Sequence, residues 1–339
     1  MAFGTAACRA RHLCTNGSYV VALAAANGSG RDKLAAAVRL KKGFGNVEVL
    51  TADLRALQRL EGVVATDLAF WEDTVVFSSS DGSVKLWDLR TKAPQRSLMD
   101  VSNDPALSVT LTNGVCACAR GTSILMADVS SGQIMADFAD VHSERVSCVR
   151  FRPGVASSDL VSAGDDGLLC VLDTQRHPGE DEALRIAMNS EESVERLAFA
   201  ADGQMLCSIS TTDVMHLWSL SEPKEGILCA RLDPMRNDQH LQVGESDGHV
   251  VDIFYDQPSG CAYALGSSVR GKLCLYHLNL EGTNYISDLQ AGSSGHNGLV
   301  RVALDLQHGR FVTGGEDGKV CLWGGTGGSA QPNTKRQRT

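Results

Sequence analysis

The heptad Asp317-Gly318-Lys319-Val320-Cys321-Leu322-Trp323 recurs as Asp81-Gly82-Ser83-Val84-Lys85-Leu86-Trp87. Each copy opens on Asp-Gly, the dipeptide of a tight hairpin turn that needs φ > 0, and continues as an alternating apolar strand closed by Trp. Degraded copies are Asp166-Gly167-Leu168-Leu169-Cys170-Val171-Leu172 and Asp213-Val214-Met215-His216-Leu217-Trp218, and looser ones end at Leu50, Ala127 and Tyr276. The end positions 50, 87, 127, 172, 218, 276 and 323 are spaced by 37, 40, 45, 46, 58 and 47 residues. A unit of about 40–45 residues carrying short strands is the spacing of β-propeller blades. Seven copies predict seven blades, with one long insertion between the fifth and sixth markers.

Outward from the turn, each unit supplies a short strand before it (160–164, 311–315) and a further strand upstream (146–151, 194–199, 300–306). A four-stranded sheet of this kind cannot bury both faces alone, so its neighbours must cover it and the row must close into a ring. The predicted fold class is all-β, a single seven-bladed propeller of four-stranded antiparallel blades spanning residues 17–325. Residues 1–16 form a lead, of which about 6–15 pair with the last blade to close the ring. Residues 326–339 form a disordered basic tail.

Composition agrees with one large globular β domain. Of 339 residues, 43% are hydrophobic and 21% charged, and 34 Gly beside 8 Pro fit many tight turns between strands that still donate hydrogen bonds. A net charge of −9 argues against nucleic-acid binding through the overall field. The longest apolar run, 19–26, is far short of the roughly 20 residues of a membrane-spanning helix. Eleven Cys, an odd number mostly in strand-like runs, read as buried thiols of a reducing compartment, so the expected location is intracellular, cytoplasmic or nuclear. The first 31 residues lack Asp and Glu but carry Arg9, Arg11 and Arg31, the composition of a mitochondrial transit peptide. A secretory reading would use 19–26 as the apolar region, with Asn16-Gly-Ser and Asn27-Gly-Ser as glycosylation acceptors. The plainer reading makes 19–26 the first strand.

These units resemble WD40 repeats. The resemblance implies a structural hydrogen-bond set in each blade: a His before the first strand, Ser or Thr on the second, Asp in the turn and Trp on the third. The last unit has all four as His296, Thr313, Asp317 and Trp323. The unit ending at Leu172 has His142, Ser162 and Asp166 at matching offsets, and Leu172 stands in place of Trp. In the second unit Phe77 takes the Ser/Thr position, and the remaining units are expected to keep the apolar pattern and lose the polar set. The order of these features, with the acidic insert at 179–184, resembles one subfamily of WD40 proteins over about residues 60–325. The resemblance implies a non-catalytic propeller that presents binding surfaces. His296, Thr313 and Asp317 are therefore expected to serve structure rather than a nucleophilic relay, which would also need an activated nucleophile and an oxyanion site.

Other motifs are weaker. Cys116-x-Cys118 places two thiols on one face of a strand but lacks the spacing and second pair of a zinc site, so no metal and no cofactor are expected. The glycines at 314–315 and 324–328 lack a phosphate-loop lysine and a following helix. The acidic groups 180–182 and Glu191-Glu192 read as solvated loops or as a docking edge for a basic partner. Lys335-Arg336-Gln337-Arg338 reads as a solubilising tail or a nuclear-import signal. Arg145 and Arg301, beside the first Val of two inner strands, are the candidate partner contacts, because arginine is favoured at binding hot spots. The plainer reading pairs them with acids such as Glu144 or Asp305 at little net energy. In Trp87-Asp88-Leu89-Arg90, Asp88 and Arg90 are the contact residues by which some WD40 proteins dock to the adaptor of a cullin-based ubiquitin ligase; the same tetrapeptide also simply ends a strand. The expected function is a protein-interaction scaffold or adaptor, monomeric within a larger complex, whose partners are other proteins. The alternative is a substrate receptor of a ubiquitin ligase.

Overall fold

The computed structural model describes residues 6–325 except 15–16, 27–32, 41–42, 92–95, 155–158, 179–182, 201, 223–224, 234, 236–237, 244–247, 257–260, 290, 292–293 and 307–308. The two glycosylation acceptors, Arg31, the core of the acidic insert and the basic tail lie outside the described residues. The described chain forms seven four-stranded antiparallel sheets and no α-helix. Among the described residues, no helix is long and apolar enough to cross a membrane.

Blade 1 comprises Ser18–Ala25, Lys33–Leu40, Gly45–Thr51 and Ala56–Glu61; blade 2, Ala65–Trp71, Thr74–Ser79, Val84–Asp88 and Arg96–Met99. Blade 3 comprises Ala106–Thr112, Val115–Arg120, Ser123–Asp128 and Ile134–Phe138; blade 4, Val146–Phe151, Asp159–Gly164, Leu168–Asp173 and Leu184–Asn189. Blade 5 comprises Val194–Phe199, Met205–Ser210, Met215–Glu222 and Glu225–Leu232; blade 6, His249–Asp256, Cys261–Ser267, Leu273–Asn279 and Gly282–Asp288. Blade 7 takes Val300–Asp305, Arg310–Gly315 and Lys319–Gly325 from the C-terminal side and its fourth strand, Ala6–Leu13, from the N-terminal side. Cys8 pairs with Trp323 and Leu13 with Lys319, and Cys14 N–H continues the ladder to Gly318 O at 2.9 Å. The apolar run 19–26 falls on the inner strand of blade 1.

The core is distributed as the repeat demands. Each buried apolar cluster lies between two successive blades. Ala35, Ala37 and Val49 of blade 1 meet Val75, Phe77 and Trp87 of blade 2. Phe254 and Leu265 of blade 6 meet Phe311 and Trp323 of blade 7. The last interface joins Val312, Val320 and Leu322 of blade 7 to Val20, Leu34 and Leu50 of blade 1, so the ring closes as a hydrophobic interface like the other six. Each side chain fully buried in such a cluster contributes roughly 1.5–3 kcal/mol. Cys116 and Cys118 are fully buried in the cluster between blades 2 and 3, where burial pushes both thiols up, Cys118 to about 12.

Between the second and third strands, the turn glycines Gly82, Gly167 and Gly318 have φ of 80°, 77° and 71°, as the Asp-Gly dipeptides require. In blade 5 the equivalent residue is Asp213, at φ 66°, whose N–H bonds Ser210 O as Gly318 N–H bonds Gly315 O. Asp213 therefore holds the glycine position of the turn and Thr212 the aspartate position. Counted back from Trp218, the six-residue copy has this same register, one residue shorter than the heptad.

A candidate interaction face at the channel mouth

All seven inner strands carry a β-bulge near their start, after the first paired residue in five of them, after the second in blade 6 and after the third in blade 1. The bulged residues are Val21, Thr66, Leu107, Ser147, Glu195, Val251 and Arg301. A bulge leaves one residue out of the ladder and re-aims its neighbours, so seven in a ring shape the rim of the central channel. Carbonyls freed from the ladder need other partners. Thr66 Oγ1 donates to Ala106 O, and Ser147 Oγ to Val194 O, each at 2.5 Å. His249 Nε2 bonds Val300 O at 2.9 Å. Arg196 donates from Nη1 to Val251 O at 2.7 Å and from Nη2 to Arg301 O at 2.6 Å. Each bond ties one blade to another.

Below the rim a charged layer spans blades 2 to 4. Asp67 Oδ2 accepts from Ser108 Oγ at 3.1 Å, Val109 N at 3.1 Å and Arg150 Nη1 at 3.2 Å, and Arg150 Nη1 donates to Ser108 Oγ at 2.7 Å. Opposite, Asp252 Oδ1 accepts from Ile253 N at 2.8 Å. Burial pushes the Asp252 carboxyl up, outweighing the nearby Arg196 and Arg150 guanidiniums that act to lower it. The open cavity there is about 250 Å³, with Val21, Ala22 and Val302 lining the side of blades 1 and 7 and Asp67, Arg150 and Asp252 among the residues lining the rest. Of its charged groups, Asp67 and Arg150 pair across blades 2 and 4.

Arg145 and Arg301 both stand at the mouth but in different structural positions. Arg145 precedes the inner strand of blade 4, whereas Arg301 is the bulged residue of blade 7. Both side chains fold onto the acid that precedes the turn aspartate. Arg145 donates to Asp165 Oδ2 at 2.9 Å, and Arg301 donates from Nε and Nη2 to Glu316 Oε1 at 2.8 and 2.6 Å. Asp165 also accepts from Ser193 Oγ at 2.8 Å. These partners come from the facing hairpin, a relationship that residue order does not display. Both arginines remain about half exposed.

The polar set packs beneath this face. In blade 7, Trp323 Nε1 donates to Thr313 Oγ1 at 2.8 Å; His296 Nε2 is 2.8 Å from the same hydroxyl, and Nδ1 is 3.0 Å from Asp317 Oδ1. The indole is donor only, so the hydroxyl accepts from it and donates to His296 Nε2, which assigns the ring proton to Nδ1 and the Asp317 bond. Burial raises the Asp317 carboxyl, but the hydrogen bond from His296, with those from the N–H groups of Asn297 and Lys319, more than reverses this and holds it at about 2. In blade 4, His142 lies 3.1 Å from Asp166 and 2.8 Å from Ser162 Oγ, and Leu172 fills the place of the indole. In neither blade does the hydroxyl face open solvent: Thr313 and Ser162 are fully buried.

The expectation that the remaining blades lose the polar set is corrected in blade 5. Trp218 Nε1 donates to Ser208 Oγ at 3.0 Å, with the same ten-residue offset as Trp323 and Thr313. Here Glu192 supplies the acid from before the inner strand, accepting from Ser210 Oγ at 2.8 Å, from Thr212 Oγ1, and from Arg231 at 3.0 Å. The reading of Glu191-Glu192 as a solvated pair thus fails for Glu192. In blade 6, Tyr276 replaces Trp and its hydroxyl donates to Asp238 at 3.1 Å. Gly266 takes the Ser/Thr position because Leu241, from the long insertion, fills that space; a Cβ there would lie 2.6 Å from Leu241.

Away from the channel rim, Asp88 lies at the end of the third strand of blade 2. Asp88 Oδ1 accepts from Arg90 N at 2.9 Å, and Oδ2 from Arg90 Nη2 at 3.0 Å. Leu89 is buried and the Arg90 side chain is 65% exposed.

Comparison with known proteins agrees with this geometry. The family described as WD domain, G-beta repeat matches residues 58–88 and 287–324, the segments that carry the two strongest heptads. WD repeat-containing protein 89 homolog of Dictyostelium discoideum is 26% identical over 74% of this chain and 68% of its own length. WD repeat-containing protein GTS1 of Arabidopsis thaliana is 25% identical over 72% of this chain, and the chain spans 64% of that relative. The uncharacterized WD repeat-containing protein YNL035C of Saccharomyces cerevisiae is 22% identical over 84% of this chain and 75% of its own length. Among solved structures, a chain of the "Crystal Structure of Mitotic Checkpoint Complex" superposes with a TM-score of 0.71 at 14% identity, covering 94% of this chain and 91% of that one, a likeness of fold.

Proposed function

Because this chain is a WD40-repeat propeller, we propose that it is a protein-interaction scaffold engaging its partner through the channel-mouth face of blades 4 to 7. The observation that carries this reading is the pair Arg145–Asp165 and Arg301–Glu316. Each guanidinium is held in place by an acid yet keeps about half its surface free, so little side-chain freedom is left to lose on binding. Arg196 braces the rim behind them. The face alternates acids with arginines, which fits a partner of complementary mixed charge rather than a uniformly charged polymer.

The test is quantitative co-purification from the protein's own cells with three baits: wild type, Arg145→Glu with Arg301→Glu, and Arg90→Ala. Each is first matched to wild type by a cooperative melt. The scaffold reading expects the double reversal to strip a defined partner set that Arg90→Ala retains. A second reading, docking to a ubiquitin-ligase adaptor, is supported by the exposure of Arg90 beside buried Leu89, and it expects the reverse pattern. An unchanged partner list in both variants would place the binding surface elsewhere on the ring.

A further inference from the structure

The seam between blade 7 and blade 1 brings together three chemically distinct donors. His12 lies on the closing strand and Cys14 just past its end, two residues apart and on one face of the extended chain. Glu48 lies on the third strand of blade 1. The ligand atoms of these three residues all lie within 4.8 Å of one another. His12 Nε2 is 2.7 Å from Glu48 Oε2. Cys14 and Glu48 are almost fully buried, whereas the His12 ring retains some exposure and leaves a path inward.

We propose that His12, Cys14 and Glu48 form a divalent-metal site that pins the closing strand of the ring to blade 1. Imidazole, thiolate and one carboxylate oxygen are a donor set suited to zinc, and the presence of sulfur selects against magnesium and calcium. Tetrahedral zinc with bonds of about 2.0–2.3 Å separates its ligands by about 3.3–3.8 Å. The His12–Glu48 separation opens by less than about 1 Å to reach that geometry, and the Cys14 sulfur, within 4.8 Å of both, moves in by about 1 Å or less. Arg59, opposite Glu48 on the outer strand, donates to Glu48 Oε1 at 2.7 Å. Its side chain is 41% exposed and turns to solvent when a cation takes the carboxylate. Binding transfers the thiol proton of Cys14 to solvent, and water fills the fourth position. Because the ligands come from both sides of the closure, the ion stabilises the closed ring over the open chain.

The test uses the full chain stripped with a chelator and titrated with Co²⁺, then with Zn²⁺. One equivalent of Co²⁺ is expected to produce a thiolate-to-cobalt charge-transfer band with tetrahedral d–d absorption, and Zn²⁺ is expected to displace it. Cys14→Ser should abolish the charge-transfer band. His12→Gln, a milder change at the partly exposed ligand, should weaken Co²⁺ binding by at least about tenfold. Zn²⁺ should raise the melting temperature of wild type and not that of Cys14→Ser, with both shown folded by circular dichroism. No cobalt–thiolate band in wild type, or the same band in folded Cys14→Ser or undiminished affinity in folded His12→Gln, would overturn the proposal.

Discussion

Arg196 Nη2 donates to the backbone carbonyl of Arg301 at 2.6 Å, joining blade 5 to blade 7 past the intervening blade 6. The same guanidinium holds Val251 O of blade 6 at 2.7 Å, so one side chain fixes three inner strands at the channel mouth. A planar guanidinium presents separate N–H groups in a fixed fork and so reaches two carbonyls on different blades with little further ordering. Arg196→Met is expected to cost about 2–3 kcal/mol through the two unpaired carbonyls and the loss of the guanidinium near Asp252. Urea unfolding measures it as a lowered midpoint at unchanged slope. Arg196→Lys should recover only part of the loss.

Thr313 and Ser208 have the same relation to their indoles, but Thr313 also bonds His296. Thr313→Val therefore strands two buried groups, and Ser208→Ala one. The expected losses are about 2–3 and about 1–2 kcal/mol, in that order. Equilibrium unfolding of the two variants in parallel checks the ranking.

Asp317 gives the fold an acid-sensitive element. Its folded carboxyl sits at about 2 against an ordinary 3.8, so its contribution is complete above the ordinary value and is lost as pH falls through about 2. The contribution at neutral pH is about 2 kcal/mol. Asp317→Asn should be less stable at pH 6, with the difference from wild type narrowing between about pH 4 and pH 2. Stability curves of both proteins across that range measure the convergence.

Asp213 occupies a left-handed turn position at φ 66°, which Asp tolerates and β-branched residues resist. Asp213→Gly should stay within about 1 kcal/mol of wild type, because relief of φ offsets the loss of the 3.3 Å bond from Val250 N. Asp213→Val should destabilise by at least about 1–2 kcal/mol. Thermal melts of the pair distinguish a conformational role for this residue from a role of its charge.

The ring was legible in the sequence because its signal is local: Asp-Gly turns followed by alternating strands ending at Trp or another apolar residue. The polar set of blade 5 was missed because its copy lacks the Asp-Gly dipeptide, with Asp213 standing at the glycine position. Counting ten residues back from Trp218 instead finds Ser208, as counting back from Trp323 finds Thr313. Blade 6 hid its substitution in an insertion, where Leu241 occupies the volume that another blade gives to a hydroxyl. Arg145 and Arg301 were found as residues flanking inner-strand valines, but the bulge that places Arg301 is a register shift and leaves no mark in an apolar pattern. Asp165 and Glu316 escaped notice for a different reason. Each sits beside the turn aspartate, and only the folded hairpin brings it across to an arginine 20 or 15 residues upstream. The Asp67–Arg150 pair spans 83 residues and two blade boundaries, a separation at which nothing in the sequence links the two.

Amide hydrogen exchange of the protein, alone and with its co-purified partner, tests most directly whether the channel mouth is the working surface. Protection on binding is expected at 143–147, 191–196, 299–301 and the turns at 165–167 and 316–318, with 88–91 unchanged. Protection confined to 88–91 or to the outer strands, with the channel mouth exchanging as in the free protein, would contradict the account.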